Sequence, residues 1–105
     1  MTIAVDFDGV LHDHLSVIEG RKMGKDVPGA FEAMTRLREQ GHTLIIYTQR
    51  AQPGIDLLYL DDWLRYYRIP YDKIALTKPD ADIYLDDKAI HFESWPETLT
   101  IIDEN

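Results

Sequence analysis

The sequence contains no cysteine, is poor in basic residues and has no long hydrophobic run. The absence of cysteine excludes disulfides, thiolate zinc sites and a cysteine nucleophile. The 19 acidic residues against 11 basic ones give a net charge of -8, which opposes broad binding to nucleic acid or to anionic membranes. No segment approaches the roughly 18 apolar residues of a membrane span, and no basic leader precedes the first apolar run. We therefore expect a cytoplasmic protein without membrane contacts.

The length and composition predict one globular domain over residues 1–105. A chain of 105 residues is long enough to bury a core but too short to add a separate substrate lid. Hydrophobic residues make up 45% and charged residues 29%, and a chain of that composition folds rather than staying disordered. Any active site is therefore expected to be open.

Short apolar runs alternate with segments of helical periodicity. The run over 3–7 lacks clean alternation, which is typical of a strand buried on both faces. Further strands are predicted over 42–48, 73–76, 82–85 and 98–103, helices over 28–41 and 53–69, and a flap with a short hairpin over about 10–28. Strands that alternate with helices indicate an α/β fold with a mostly parallel, five-stranded sheet and helices on both faces.

Polar side chains follow four of the predicted strands at their carboxyl ends: Asp6, Asp8, Thr48, Lys78, Asp86 and Asp87. In open α/β sheets, ligands bind at that edge. Several carboxylates gathered there would repel one another unless a cation joined them, and a ligand set made only of oxygen suits Mg²⁺. The metal would in turn hold a phosphate, with the Lys78 ammonium and the Thr48 hydroxyl contacting phosphate oxygens.

The same residues form four motifs in a fixed order. VDFDGVL, LIIYTQR, the lysine of TKPD and IYLDDKA resemble the four motifs of the haloacid dehalogenase (HAD) superfamily of phosphohydrolases. The segment VPGAFEAMTRLREQGHTLIIYT also resembles the first helix and second strand of that family. The likeness spans nearly the whole chain and implies a three-layer α/β/α, Rossmann-like core.

The resemblance implies a Mg²⁺-dependent phosphomonoester phosphatase. Asp6 would be the nucleophile that forms an aspartyl-phosphate, and Asp8 would be the general acid and base, with a pKa closer to neutrality than that of a free Asp. Asp6, the Asp8 carbonyl, Asp86 and Asp87 would hold Mg²⁺, with Asp87 as the direct ligand of the pair. Thr48 and Lys78 would anchor the phosphoryl group, with Lys78 also offsetting the charge of Asp6.

The substrate-binding residues implied by the resemblance are Gly9, Thr48, Gln49, Arg50 and Lys78. Gly9 lacks a Cβ and lets the chain turn tightly after the strand. The gap over 10–28 has room for a flap only, so the chain resembles the minimal members of the family that have no cap domain. An open site admits a polymer end or a phosphoprotein, whereas a small phosphorylated metabolite would need a second subunit, such as a homo-oligomer partner, to cover it.

Two other functions compete with the phosphatase. A receiver-type signalling module also combines acids, a Thr, a Lys and Mg²⁺, but it carries its acidic pair after the first strand and its acceptor Asp after the third. Here the acidic pair lies at Asp86 and Asp87, and the strand over 73–76 leads into Lys78 without an Asp in the acceptor place. A noncatalytic module that binds Mg²⁺ or phosphate is the second alternative, although every chemical role has a candidate residue.

Two further groups of residues have no assigned role. His12 and His14 suggest a transition-metal site, but two histidines in a loop more often pack or face solvent. Arg21, Lys22 and Lys25 form a basic cluster in the predicted flap. That cluster could meet an anion, and a solvated loop surface explains it equally simply.

Overall fold

A parallel sheet and three helices make up the computed structural model, which describes residues 1–17, 23–48, 55–86 and 94–104. In chain order the elements are β1 (Thr2–Asp6), β2 (His12–Asp13), β3 (Lys25–Asp26), α1 (Ala30–Glu39), β4 (Thr43–Tyr47), α2 (Ile55–Tyr66), β5 (Lys73–Ala75), β6 (Ile83–Leu85) and α3 (Trp95–Glu104). A short 3-10 helix, His14–Ser16, follows β2. None of the helices within these ranges is long and apolar enough to cross a membrane.

The main sheet has four strands in the order β5-β4-β1-β6, and every neighbouring pair is parallel. The central strand β1 pairs with β4 from Thr2 to Asp6 and with β6 from Ile3 to Val5. Its three middle residues are completely buried. The prediction of a first strand enclosed on both faces is confirmed, because successive strand residues point to opposite faces and all three of these are buried.

One face of the sheet carries the main hydrophobic core. Ile3 and Val5 belong to a cluster that also contains buried residues of all three helices, whereas the buried Ala4 between them lies outside that cluster. We predicted helices on both faces, but within the described ranges all three helices share this one face. The reason is directional: the connections β1-α1-β4 and β4-α2-β5 step the same way along the sheet, and right-handed crossovers then place both helices on the same side.

The last predicted strand is a helix. The segment 98–103, interpreted as a fifth strand, lies inside α3, so the described sheet has four strands rather than five. Trp95, Thr98 and Ile102 are buried at helical spacing, and Thr100 is exposed. A strand would instead have placed Thr98, Thr100 and Ile102 on one face. The β-branched residues of TLTIID favour strands, but the burial of one helical face overrides that local preference.

A sequence signal for this helix was present and was missed. Ser94 is followed three residues later by Glu97, the Ser-x-x-Glu pattern that often begins a helix. Pro96 lies in the first turn, where the missing N–H has no intrahelical partner to lose. α3 also docks on α1, where Arg36 Nη2 lies 2.5 Å from Asp103 Oδ2.

Paired alanine substitutions distinguish the helix from the strand. We expect Ile102→Ala to lower the free energy of unfolding by about 2–4 kcal/mol, because a buried side chain leaves a cavity. The matched change Thr100→Ala should alter stability by less than about 0.5 kcal/mol, because that residue faces solvent. Urea titration followed by circular dichroism measures both values. Equal losses in the two variants would contradict the helical assignment.

The predicted flap begins and ends in a small antiparallel pair. β2 and β3 pair through His12 with Asp26 and Asp13 with Lys25, and the Val27 N–H donates to the Leu11 carbonyl at 2.8 Å. Residues 18–22 lie outside the described ranges. Two members of the basic cluster, Arg21 and Lys22, therefore fall outside them, and the third, Lys25, is exposed at the start of β3.

Candidate active site

Parallel pairing brings the polar strand ends to one edge of the sheet. Asp6 pairs with Tyr47, and Tyr47 pairs with Ala75 on the next strand. Val5 pairs with Leu85 on the other side of β1. The residues that follow these pairs, Thr48 after β4 and Asp86 after β6, therefore lie at the same edge as Asp6. The carboxyl edge of an open parallel sheet is the usual place for a ligand site.

The segment DFDG forms a tight turn at the end of β1. The Phe7 N–H donates to Asp6 Oδ1 at 2.8 Å, and the Phe7 carbonyl accepts the N–H groups of Leu11 and His12 at 3.0 and 2.9 Å. Gly9 has a φ of +85°. A residue with a Cβ would be strained in this conformation. Phe7 is buried in the core, while Asp6 and Asp8 are half-buried. The turn thus separates the two carboxylates from the ring between them.

Asp8 is held by a buried histidine. Asp8 Oδ1 lies 2.7 Å from His12 Nδ1, and the Asp8 side chain is 36% exposed while His12 is completely buried. The sequence assigns no role to His12, because a histidine beside polar loop residues carries no signal of burial. His14 is the first residue of the short 3-10 helix.

Asp86 is a buried carboxylate with two donors on one oxygen. Lys78 Nζ lies 3.5 Å from Asp86 Oδ2, and the Tyr47 hydroxyl donates to the same oxygen. Asp86 is only 5% exposed, so these contacts offset the loss of hydration of its charge. We expected Lys78 to offset the charge of Asp6, and the ion pair observed for Lys78 is with Asp86. Tyr47 gave no functional signal in the sequence, because tyrosine is a common strand residue.

Tyr84 supports the loop that carries Lys78. The Lys78 ammonium lies 4.4 Å from the centre of the Tyr84 ring, within the range of a cation–π contact. The Tyr84 hydroxyl donates to the Pro79 carbonyl at 2.7 Å and accepts the Ala81 N–H at 3.0 Å. The ring and the hydroxyl therefore act together, one on the ammonium and the other on the backbone that presents it.

Of the remaining candidate site residues from the sequence, the structure describes only some. Thr48 is 5% exposed, and its N–H donates to the Ala75 carbonyl at 3.2 Å. Gln49, Arg50 and Asp87 lie outside the described residues. Among those that are described, the turn and the sheet edge bring together Asp6, Asp8, Gly9, Thr48, Lys78 and Asp86.

The oxygen donors at this edge are of the kind that Mg²⁺ prefers. Within the described ranges no three acidic or histidine side chains lie close enough together to hold a metal ion. Mg²⁺ does not require such a cage, because proteins usually hold it with one or two carboxylates while water and substrate phosphate complete the shell. The carboxylates of Asp6 and Asp86 and the backbone carbonyl of Asp8 are donors of this type. The described residues therefore fit the ion.

Tyr67, the residue that follows α2, has a raised pKa. Burial raises the pKa of Tyr67, and the negative charge of Asp26 in β3 raises it further. Tyr67 packs on Trp63, with ring centres 4.6 Å apart. The raised pKa keeps the phenol neutral at pH 7, where it packs on the Trp63 ring of α2.

No protein-family model matches the chain, and no curated protein matches it. Two solved structures are similar. A conserved protein from Bacteroides thetaiotaomicron is 26% identical, with a TM-score of 0.78 over 99% of this chain and 90% of that one. A structural-genomics target from Vibrio cholerae is 20% identical, with a TM-score of 0.60 over 98% of this chain and 97% of that one. Both likenesses cover at least 98% of this chain, and they show a shared fold.

Proposed function

We propose that the protein is a Mg²⁺-dependent phosphomonoester phosphatase of the HAD type. The observation that carries the proposal is the gathering of Asp6, Asp8, Thr48, Lys78 and Asp86 at the carboxyl edge of one parallel sheet. These residues follow one another in the chain in the order of the four HAD motifs. The proposal extends to the fold, as a core of the three-layer type that the resemblance implies, of which the described ranges supply the sheet and one helical layer.

Two carboxylates with different surroundings can divide the chemistry between them. Asp6 attacks phosphorus in line, the bond from phosphorus to the alcohol oxygen breaks, and protonated Asp8 gives its proton to the departing alkoxide. Water then attacks the aspartyl-phosphate and gives a proton to Asp8. The Asp6–phosphorus bond breaks and inorganic phosphate leaves. Each step balances with water as the only co-reactant.

The remaining residues bind and orient the phosphoryl group. The Asp6 and Asp86 carboxylates and the Asp8 carbonyl would hold Mg²⁺ together with Asp87, and the ion would withdraw charge from the phosphoryl oxygens. Thr48 follows Tyr47, the strand partner of Asp6, and its hydroxyl would contact a phosphoryl oxygen. Lys78 offers a positive charge that Asp86 holds in place.

Release of inorganic phosphate tests the proposal directly. The panel contains sugar phosphates, nucleotides, oligonucleotides with 3′- or 5′-phosphate, and phosphopeptides, each with Mg²⁺ and with EDTA. Turnover that requires Mg²⁺ is the expected result, and the best substrate identifies the class. Turnover that persists in EDTA would contradict the proposed mechanism. One equivalent of phosphate retained on Asp6 without turnover would favour the receiver-type alternative.

Tyr84→Phe should weaken substrate binding more than it slows the chemical step. The change removes the hydroxyl that joins Pro79 to Ala81 and leaves the ring beneath Lys78. The two lost hydrogen bonds are worth roughly 1 kcal/mol each, and about half of that total should reach the substrate through Lys78, so KM should rise about 3- to 10-fold with a smaller change in kcat. Tyr66→Phe is the matched control, because that side chain is 78% exposed. An equal rise in KM for both variants would rule out a role for the Tyr84 hydroxyl.

A further inference from the structure

We propose that His12 is a positioning residue, which sets the orientation of the Asp8 carboxylate and ties it to the flap. The catalytic part of this inference rests on the proposed phosphatase function. His12 lies outside the motif residues, and its hydrogen bonds connect the turn after β1 with the residue that precedes β3. One imidazole ring therefore joins the proposed acid–base residue to the element that borders the site.

The hydrogen bonds of His12 define one tautomer. His12 Nε2 lies 2.8 Å from the backbone N of Gly24. The backbone N–H is a donor, so Nε2 must be the unprotonated nitrogen that accepts it. Nδ1 then carries the ring hydrogen and donates it to Asp8 Oδ1, 2.7 Å away. Both nitrogens have a defined partner, and the neutral ring delivers its one hydrogen to Asp8.

Aromatic packing prevents the ring from changing its direction. His12 stacks on Phe7 with ring centres 5.0 Å apart and planes 6° apart. The Trp63 ring meets it nearly perpendicularly at 5.5 Å. The side chain is completely buried, so a rotation would break both hydrogen bonds without water to replace them. The donor to Asp8 is therefore held in position before substrate binds.

The flap end of this connection is equally constrained. The Gly24 carbonyl accepts the Trp63 Nε1–H at 2.9 Å, while its N–H is taken by His12. A Cβ at Gly24 would lie against Ser16 Oγ and 2.7 Å from the Asp13 carbonyl oxygen. Only glycine fits here, and its backbone is fixed on both sides. A displacement of the flap at Gly24 would consequently release His12 and, through it, Asp8.

The orientation matters because Asp8 acts twice. It gives a proton to the alcohol and then takes one from water, and both transfers need its carboxylate within hydrogen-bond reach of the reacting oxygen. The Asp8 side chain is 36% exposed, so packing alone leaves it room to rotate. The bond from His12 selects one orientation for the two transfers.

Two amide substitutions separate the two hydrogen bonds. His12→Asn places an amide NH₂ near the position of Nδ1 and retains a donor for Asp8. His12→Gln reaches the position of Nε2 and retains an acceptor for Gly24, but it loses the donor to Asp8. With 2-glycerol phosphate, we expect His12→Gln to lower kcat by about 10- to 100-fold, part of the 10²- to 10⁴-fold that a general acid–base contributes. KM should change less than about 3-fold, and His12→Asn should recover most of the lost rate.

The leaving group distinguishes positioning from a purely structural role. The alkoxide of 2-glycerol phosphate needs the proton of Asp8 to depart, whereas the nitrophenolate of p-nitrophenyl phosphate departs without it. His12→Gln should therefore lower kcat/KM for 2-glycerol phosphate at least about 5-fold more than for p-nitrophenyl phosphate. Equal losses on both esters, or the same activity in the Asn and Gln variants, would overturn the inference.

A measurement without substrate tests the connection itself. Nitrogen-15 NMR of the histidine rings should show His12 as the Nδ1-protonated tautomer, with a slowly exchanging Gly24 amide. An Nε2-protonated ring would overturn the inference even in an active enzyme. A wild-type protein that shows this tautomer but releases no phosphate from any ester would overturn the proposed function, and with it the catalytic role of His12.

Discussion

Asp6→Asn should abolish phosphatase turnover while leaving the fold intact. The amide has nearly the same shape as the carboxylate and can still accept the Phe7 N–H, but it cannot attack phosphorus. In other enzymes, removal of the nucleophile lowers kcat by several orders of magnitude. We therefore expect kcat to fall at least about 10³-fold. Phosphate release from the best substrate of the panel, with saturating Mg²⁺, measures it. Acid-quenched protein should contain phosphorylated Asp6 in the wild type and none in the variant.

Glu39→Gln is the matched control for this loss. Glu39 is an exposed carboxylate at the end of α1, so the substitution removes the same unit of charge from a protein with a net charge of -8. We expect wild-type activity from it. Retained turnover in Asp6→Asn, or a similar loss in both variants, would rule out Asp6 as the nucleophile.

Of the substitutions proposed for this protein, Phe7→Ala should lower the free energy of unfolding the most. Phe7 is completely buried, stacks on His12 and meets Trp63 edge to face at 5.0 Å. Truncation of such a ring typically lowers the free energy of unfolding by about 3–5 kcal/mol, a large part of the total for a small domain. Urea unfolding followed by circular dichroism measures the change. The loss should be accompanied by greater mobility of His12, which loses one of its two aromatic neighbours.

Phe31→Ala is the corresponding control on the surface. Phe31 lies on α1 with 38% of its surface exposed, and alanine has a higher helix propensity than phenylalanine. We expect a change below about 1 kcal/mol. A comparable loss in the two variants would mean that the core is not centred on Phe7.

Phe7 also connects stability with chemistry. Phe7 lies between the two catalytic candidates of the turn, and its ring faces away from them into the core. The stability of that core and the direction of the carboxylates are therefore linked through one residue. Phe7→Leu retains an apolar side chain but has no flat ring to stack on His12. This variant should therefore have a lower kcat, although it destabilises the fold less than Phe7→Ala.

Two helices and the four strands of the main sheet, all before residue 86, could be predicted from periodicity. Ala30, Ala33, Met34 and Leu37 lie on the buried face of α1, as their spacing predicts. The strands β4, β5 and β6 lie within the predicted runs, and β1 begins one residue before its run. These segments have local patterns that agree with their burial. The segment of α3 has a local pattern that disagrees, because its β-branched residues favour a strand. Only the packing of Trp95 and Ile102 against the core decides for a helix.

The layers of the fold could not be predicted in the same way. An α/β alternation is compatible with helices on one or both faces of a sheet. The distinction depends on the direction in which each connection steps along the sheet. That direction became visible only with the strand order β5-β4-β1-β6, which puts α1 and α2 on the same face.

The sequence by itself determined the candidate residues and their order along the chain. Motif spacing and strand ends are local properties, so Asp6, Asp8, Thr48, Lys78 and Asp86 could be proposed without coordinates. The tertiary structure decided which side chains support them. His12 holds Asp8, Tyr47 donates to Asp86, and Tyr84 braces the Lys78 loop. The contact of Tyr47 with Asp86 joins residues 39 positions apart, whereas His12 with Asp8 and Tyr84 with Pro79 are four and five positions apart across turns. No helix or strand repeat predicts any of the three, so only the folded backbone brings these side chains into reach.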